Sequence, residues 1–404
     1  MTFANSSNRY KTDQTNVEQT MVGDDTWYME TDMPKWNSNY YNQTINGGIS
    51  AELAKNHVVG ASVAYSKETD KWGGASISKM FYNTDLFEDL YSNIHSHANY
   101  DQWIGNIFYD GTLAEKWKIA FNADYVNRKA NDDRLNQESG SMTTQHEAKN
   151  VNETSHNIYA GNVKVSYQAN KTLAFHVGTD ASYVDEKKDY QSLENEETNS
   201  SSRLRAEESK FAVFAGCNFS VAKVSAQLGL RYETFNMLYR DAISGESLVD
   251  KTQRHLYPYF SLSLPLKNIE MGLSMTTKVK RPSYYELRNS EEYFNRYSVE
   301  AGNPWLLPQY TTDVSYSLQW HQLRFSVNYQ RVEDYIISTN MVRQDNPLVA
   351  VSKPDNFSHY SAVNASVAYH THVGRRVSLL VRYTFKDKKR YKGESAANEE
   401  LERL

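Results

Sequence analysis

Two features that are common in extracellular and membrane proteins are scarce in this sequence. It has one cysteine, Cys217, so an internal disulfide is excluded. It has no run of about 20 apolar residues, so no transmembrane helix is predicted. Its mean hydropathy of −0.72, its net charge of −5 and its hydrophobic fraction of 39% resemble those of a water-soluble protein. None of these values excludes a chain of membrane-spanning β-strands, because each strand faces lipid only at every second residue.

Common catalytic and metal-binding motifs are also absent. The sequence has no glycine-rich phosphate loop, no paired-cysteine zinc pattern, no helical histidine pair and no nucleophile elbow. We therefore predict that the protein is not an enzyme, and we predict no catalytic residue, cofactor or metal site. No nucleic-acid partner is expected either.

Two weaker polar patterns have competing interpretations. The pairs His95/His97 and His370/His372 would each place two imidazoles on one face of a strand, where they could bind a metal, but their positions at element ends favour ordinary structural histidines. Acidic clusters could bind divalent cations or cationic ligands, although we favour simple solvation on exposed loops. These clusters are Asp132-Asp133, Glu194, Glu196-Glu197, Glu207-Glu208 and Glu291-Glu292.

The most informative pattern is a period of two that begins at Thr44 and continues along most of the chain. In residues 117–125, apolar Trp117, Phe121 and Tyr125 alternate with polar Lys118 and Asn122. Such alternation predicts strands with one apolar and one polar face. We count roughly 16 strands, several of about ten residues, which is the length that a tilted membrane strand needs. The apolar face includes Phe121, Phe175, Leu228, Leu273 and Val327, and the polar face includes Lys118, Asn122, Asp124, Lys164, His176, Asp180, Arg231, Glu233, Arg324, Asn328, Gln330, Asn364 and Arg382.

The connections between these strands alternate in length. Tight turns are predicted at 54–56, 114–116, 170–171, 222–223, 267–268 and 321–322, and longer loops at 128–152, 186–208, 236–253, 280–309 and 344–357. Short turns on one rim and long loops on the other are typical of an outer-membrane β-barrel. The chain has 30 tyrosines, and tyrosine is enriched where a membrane meets water. We therefore expect aromatic bands at the two edges of the apolar belt, containing Tyr125, Tyr167, Tyr183, Tyr232, Tyr329 and Tyr369.

Two ordered motifs lie in the long connection that ends at Gln309. The first contains Arg281, Pro282, Glu286 and Leu287, and the second contains Gly302, Asn303, Pro304, Leu306, Pro308 and Gln309. Together they resemble a segment of the TonB-dependent receptors of the outer-membrane β-barrel protein family. The Asn356-Phe357 pair, the final strand around Tyr383 and the charged tail are similar to the same family.

The resemblance implies an all-β, antiparallel transmembrane barrel in the outer membrane of a Gram-negative cell. Family barrels usually close with 22 strands, so roughly 16 strands leave closure open. The implied domains are a polar segment at 1–42 that belongs to a preceding loop, the barrel at 43–385 and a charged tail at 386–404. No signal-peptide pattern occurs in 1–42, so we expect this chain to be part of a longer receptor.

The implied function is uptake of a bulky nutrient such as a siderophore-iron complex, a vitamin or a glycan. Outer-membrane lipid is the expected partner, and the intact receptor would also have a plug domain and contact the TonB complex. A non-transporting surface barrel, or an inert remnant of a split receptor gene, is the alternative. The long connection could contact substrate or could only pack against the barrel, and its candidate contact residues are Tyr284, Tyr285, Tyr293, Tyr297 and Trp305.

Overall fold

The computed structural model describes residues 2–22, 25–142, 144–343, 345–346, 348–370, 376–386 and 403. These residues form one mostly antiparallel sheet of 17 strands. No helix in this part of the chain is long and apolar enough to cross a membrane. The strands are β1 (Thr2–Val22), β2 (Asp25–Ala54), β3 (His57–Tyr82), β4 (Asp85–Leu113), β5 (Trp117–Gly140), β6 (His146–Gln168), β7 (Leu173–Glu194), β8 (Glu197–Val221), β9 (Val224–Asp241), β10 (Ser247–Leu266), β11 (Ile269–Lys280), β12 (Glu291–Asn295), β13 (Ser298–Ala301), β14 (Gln309–Trp320), β15 (Leu323–Val342), β16 (Ala350–His370) and β17 (Arg376–Lys386).

The sheet is a meander in which each long strand pairs with the next one along the chain. Only the short hairpin β12–β13 interrupts the series, because β11 pairs directly with β14 across it. The predicted all-β fold is confirmed. Strands β1 and β17 stand at the two ends of the meander, and no ladder joins them among the described residues.

The predicted tight turns are confirmed at one end of the sheet, called the lower end here. They include Lys55-Asn56 between β2 and β3 and Ala222-Lys223 between β8 and β9. At the upper end, three of the predicted long loops are wrong. Residues 128–140, 186–194 and 236–241 continue the strands, and the chain reverses in short turns at 141–145, 195–196 and 242–246.

The opening residues also differ from the sequence-based expectation of a loop at 1–42. Thr2–Val22 pairs with Asp25–Asn46 over nearly its whole length, with one register shift between Thr12 and Gln14. Residues 2–22 are mostly polar on both faces, so they lack the apolar alternation that reveals the later strands. Backbone hydrogen bonding to a neighbouring strand is sufficient to extend the sheet.

Outer-face positions form an apolar belt between two aromatic rows. In the upper row, Tyr159 lies between Tyr125 and Tyr183 on neighbouring strands, with ring centroids 5.0 and 6.4 Å away. In the lower row, Trp117 and Tyr167 are 4.5 Å apart. Tyr167 follows Tyr159 by eight positions, about 27 Å along the strand and roughly 20 Å in height at the usual strand tilt, which approaches the height of a membrane-facing band. Counted from the lower turns, Tyr232 lies eight residues along β9 and Tyr329 six residues along β15, on the upper side of the belt. Tyr369 pairs with Leu323 at its lower end.

Strand register also assigns the predicted faces. The residues predicted to face lipid, including Phe175, Leu228 and Leu273, lie on the outer face, where these three are 39–57% exposed. The predicted polar row lies on the opposite, inner face, as far as its side chains are described. There Asn106 donates a hydrogen bond of 2.7 Å to Asp124.

Substitution of Leu228 by arginine tests this assignment. Leu228 lies mid-strand in the belt, so a guanidinium there should lower the free energy of unfolding in lipid vesicles by about 2 to 4 kcal/mol. The matched control is Gln227→Arg. The side chain of Gln227 points into the polar interior, so an arginine there should be tolerated. Urea unfolding of both variants in vesicles measures the difference, and equal losses would contradict the assignment.

Candidate functional site

The connection between β11 and β14, residues 281–308 and called the inner loop here, folds inside the upper part of the barrel. Its side chains and carbonyls contact β4, β5 and β8 on one side, and its hairpin strand β13 pairs in parallel with β16 on the other. The sheet therefore wraps around the loop. Inner-face residues of the upper strands are buried by it, whereas lower inner-face residues such as Lys118 and Asp110 stay exposed.

Three tyrosines of the inner loop bind three buried glutamates on different strands. Tyr293 donates a hydrogen bond of 2.7 Å to Glu138 of β5, and Tyr297 donates one to Glu88 of β4. Tyr284 donates a third, of 3.3 Å, to Glu208 of β8. Each carboxylate is at most 2% exposed, so these hydroxyls supply part of the hydrogen bonding that a buried charge requires. Burial raises the pKa of the Glu138 carboxyl.

Arg281 begins the inner loop within a buried chain of ion pairs. Its guanidinium contacts Glu233 and stacks 4.2 Å from the ring centre of Phe235. Glu233 also binds Arg231, which holds Asp180 through two hydrogen bonds. Alternating charges along the chain satisfy one another in a place where a single unpaired charge would be costly.

The first motif then forms a tight turn. The Glu286 carboxylate accepts hydrogen bonds of 2.7 and 2.9 Å from the backbone N–H and hydroxyl of Ser283. Leu287 follows and packs into an apolar cluster on the inner face with Val184 and Phe235. Pro282 is buried and has no N–H that would need a partner.

The second motif returns the chain to β14. A Cβ at Gly302 would lie 2.0 Å from the carbonyl oxygen of Arg288, so only glycine fits. The Asn303 amide donates to the carbonyl of Pro354 on β16 at 3.1 Å. Asn356 holds Leu307 from both sides, accepting from its N–H at 2.7 Å and donating to its carbonyl at 2.9 Å. Leu306 joins the same apolar cluster as Leu287. Pro304 and Pro308 are buried, and Gln309 pairs with Lys280.

The five candidate contact residues separate into two groups. Tyr284 and Tyr297 are buried and Tyr293 is half-buried, and the hydroxyls of all three bind the barrel. Tyr285 is 46% exposed and Trp305 is 54% exposed. Tyr285 lies against the Arg288 guanidinium at 3.8 Å and donates to Glu300, and the Trp305 indole donates to the carbonyl of Leu248.

A polar cavity of about 570 Å³ lies at the upper end of the inner loop. Tyr293 lines it together with Arg343, which pairs with Glu291. The buried Ser290 hydroxyl, also on its lining, makes no hydrogen bond. The remaining lining is mostly hydroxyl and amide groups: Tyr190, Ser192, Ser200, Ser201, Ser202, Asn289 and Asn346.

The expectation that the acidic clusters are simply solvated is wrong for two members. Glu208 and Glu292 are each 2% exposed. Glu208 points inward because β8 continues where a loop was predicted, and Glu292 is buried because its hairpin folds inside the barrel. Glu292 lies 3.6 Å from Arg288. Exposed positions such as Glu196 do face solvent.

Among the described residues no group of three or more acidic, histidine or cysteine side chains could hold a metal. His95 and His97 lie exposed on the outer face, and His372 falls outside the described residues.

Sequence reasoning also missed a buried cluster above the upper aromatic row. Glu186 and His156 face each other on β7 and β6, and each is at most 5% exposed. Burial raises the pKa of Glu186 to about 8 and lowers that of His156 to about 3. Lys188, Glu208 and Arg403 are the charged groups that act on Glu186. No local motif marks these residues, since only their inward direction buries them.

Replacement of Tyr297 by phenylalanine should weaken the inner loop. It removes one hydrogen-bond donor from the buried Glu88 carboxylate, and leaving such a group short of a partner costs about 1 to 3 kcal/mol. The expected result is a lower urea midpoint in detergent and faster chymotrypsin cleavage within the loop. The exposed Tyr41 provides the control, because Tyr41→Phe should change neither quantity. Unchanged cleavage in Tyr297→Phe would contradict the role of this contact.

Glu186 should make stability depend on pH. Its folded-state pKa of about 8 lies above the ordinary value of 4.5, so the folded state binds this proton more tightly and stability falls as pH rises from about 4.5 to about 8. Glu186→Gln removes this loss, and the variant should exceed the parent at pH 8 by on the order of 3 kcal/mol. Unfolding free energies over this pH range measure it. Parallel curves for the two proteins would show that Glu186 is not the titrating group.

Comparison with solved structures finds a similar fold in one transport protein and weaker matches in two others. The copper transporter OprC matches 95% of this chain at 10% identity with a TM-score of 0.55. The siderophore receptor PiuA from Acinetobacter baumannii matches 98% at 10% identity with a TM-score of 0.48, and the FrpB iron transporter from Neisseria meningitidis matches 95% at 11% with 0.46. At such identities the likeness shows the fold alone.

This chain spans less than two thirds of the length of each of those proteins. It covers 60% of OprC, 65% of PiuA and 61% of FrpB. A search of curated proteins found no match. The family comparison does give one, over residues 114–403, which is more than half of the chain. The resemblance inferred from the two motifs is thereby confirmed, and the chain belongs to the outer membrane protein beta-barrel family.

Proposed function

We propose that this chain is the barrel portion of a TonB-dependent outer-membrane receptor that takes up a bulky nutrient, such as a siderophore-iron complex, a vitamin or a glycan. The supporting observation is a sheet with an apolar outer belt and a polar inner face, wide enough to enclose the inner loop. Fold likeness to a copper transporter agrees with transport as the class of function. In the intact receptor the partners are outer-membrane lipid, a plug domain and the TonB complex.

The inner loop sets a physical condition on any such transport. It occupies the upper interior, where its tyrosines bind buried carboxylates of the wall, while lower inner-face residues such as Lys118 are open to water. A bulky cargo cannot pass through space that a packed loop fills. Uptake therefore requires the loop to move or the cargo to pass beside it.

Cargo contact belongs to the cavity and to the two exposed aromatic residues of the inner loop, rather than to all five candidate residues. Tyr284 and Tyr297 use their hydroxyls to bind the barrel, so their replacement acts through loop structure. Tyr285 and Trp305 present ring surface to solvent, and aromatic rings give a large contact area at small entropic cost. The hydroxyl and amide lining of the cavity suits a cargo rich in polar groups.

The double variant Tyr285→Ala/Trp305→Ala in the full-length receptor tests this assignment. It should lower uptake by about tenfold or more while surface abundance stays normal, because two exposed rings contribute to binding and the tyrosines that bind Glu88, Glu138 and Glu208 are unchanged. The control is Tyr41→Ala, an exposed outer-face tyrosine that should leave both quantities unchanged. Loss of abundance together with uptake would assign the two residues to loop structure instead.

Transport itself is tested by radiolabelled uptake in cells that express the receptor, with a ferric siderophore, cobalamin and an oligosaccharide as cargoes. Uptake of one of them that stops when the proton gradient of the inner membrane is dissipated supports the proposal. Binding at the surface without uptake indicates a non-transporting surface barrel. The absence of both binding and uptake indicates an inert remnant.

A further inference from the structure

Arg403 lies inside the barrel against Glu208. Its number is seventeen above that of Lys386, where β17 ends. Its guanidinium binds both carboxylate oxygens, and the Nη2 to Oε1 distance is 2.9 Å. Its plane lies 4.4 Å from the ring centre of Tyr284, and its Nε donates a hydrogen bond of 2.8 Å to the carbonyl of Pro282. Tyr239 donates a further hydrogen bond to Glu208. The two oxygens of one carboxylate, a stacked ring and a carbonyl acceptor match the planar, forked set of N–H donors of a guanidinium.

The charges around this position require a cation. Glu208 and Glu186 both point inward from neighbouring strands, and both are at most 2% exposed. Lys188 is a nearby cation on the wall, and His156 is kept neutral because burial lowers its pKa. Without Arg403, the buried Glu208 carboxylate would lose the cation that binds both of its oxygens. Removal of one partner from a buried pair is strongly destabilising, because it leaves an uncompensated charge.

The arginine also joins the wall of the barrel to the start of the inner loop. Glu208 belongs to β8, whereas Pro282 and Tyr284 belong to the loop, and Arg403 binds all three. The backbone N–H of Tyr284 in turn donates to the carbonyl of Arg403 at 3.3 Å. The family match extends to residue 403, beyond the last strand, which agrees with a role for this position in the fold.

We propose that Glu208, Tyr239 and Tyr284 form a guanidinium-binding site in the barrel interior, and that Arg403 of the tail is its ligand. Occupied by the tail, the site holds the first turn of the inner loop against the wall. Vacated, it leaves an acidic pocket that accepts a guanidinium from another source. The site is a property of the barrel itself, so it does not depend on which cargo the receptor carries.

Chemical rescue of an Arg403→Gly variant of the full chain in lipid vesicles tests this proposal. The variant should be cleaved by chymotrypsin within the inner loop at least about tenfold faster than the parent, because the buried pair is broken. Millimolar methylguanidinium should restore protection by refilling the site. Methylammonium at the same concentration should not, since it lacks the planar fork.

Two further variants separate the site from general effects of the additive. In Glu208→Gln/Arg403→Gly the carboxylate is gone, and methylguanidinium should give no protection. Arg403→Lys keeps the positive charge without the planar set of donors, so its inner loop should be cleaved by chymotrypsin at a rate between those of the parent and Arg403→Gly. Cleavage of Arg403→Gly at the parental rate would overturn the proposal, and so would equal protection by methylguanidinium and methylammonium, or rescue of the double variant.

Discussion

The upper half of this barrel depends on buried carboxylates that point inward from the wall. Glu88, Glu138 and Glu208 lie on three strands, and each binds a tyrosine hydroxyl of the inner loop. A carboxylate in this position would be costly without donors, so the loop and the wall each satisfy polar groups of the other. The loop is therefore part of the core of the upper barrel, although it lies between strands that cross the membrane.

The same strands meet three environments along their length. In the lower half the outer face meets lipid and the inner face meets water, which gives alternation of apolar and polar residues, as in Leu228 and Gln227. In the upper half the outer face meets water and the inner face meets the loop. There the apolar residues are the inward ones, such as Val184 and Phe235, and the outer positions are charged. The aromatic row through Tyr125 and Tyr183 marks the change.

This reversal explains which parts of the structure the sequence could predict. Alternation with outward apolar residues identified the strands of the belt, the faces of Phe175 and Asp180, and the tight lower turns. Above the belt the outward residues are polar, so residues 128–140 and 186–194 resemble loop sequence although they continue the sheet. Backbone pairing, which leaves little trace in the residue types, holds them in register.

The sequence marks the long connection as a separate segment but does not show where it lies in space. The motifs around Arg281 and Gly302 mark the inner loop, and the prolines indicate an irregular backbone. Their direction depends on contacts more than 70 residues away along the chain, such as Tyr284 with Glu208 and Tyr297 with Glu88. Neither Glu208 nor Arg403 stands out locally, because each acquires its role only when the barrel brings the tail, the loop and β8 together.

Hydrogen exchange of the inner loop in lipid vesicles tests the central claim most directly. The amides of Leu287, Asn303 and Leu307 donate to Ser283, Glu286 and Asn356 inside the barrel, so they should exchange as slowly as amides of the upper strands. Exchange within seconds, as for an exposed loop, would show that residues 281–308 lie outside the barrel and would contradict this account.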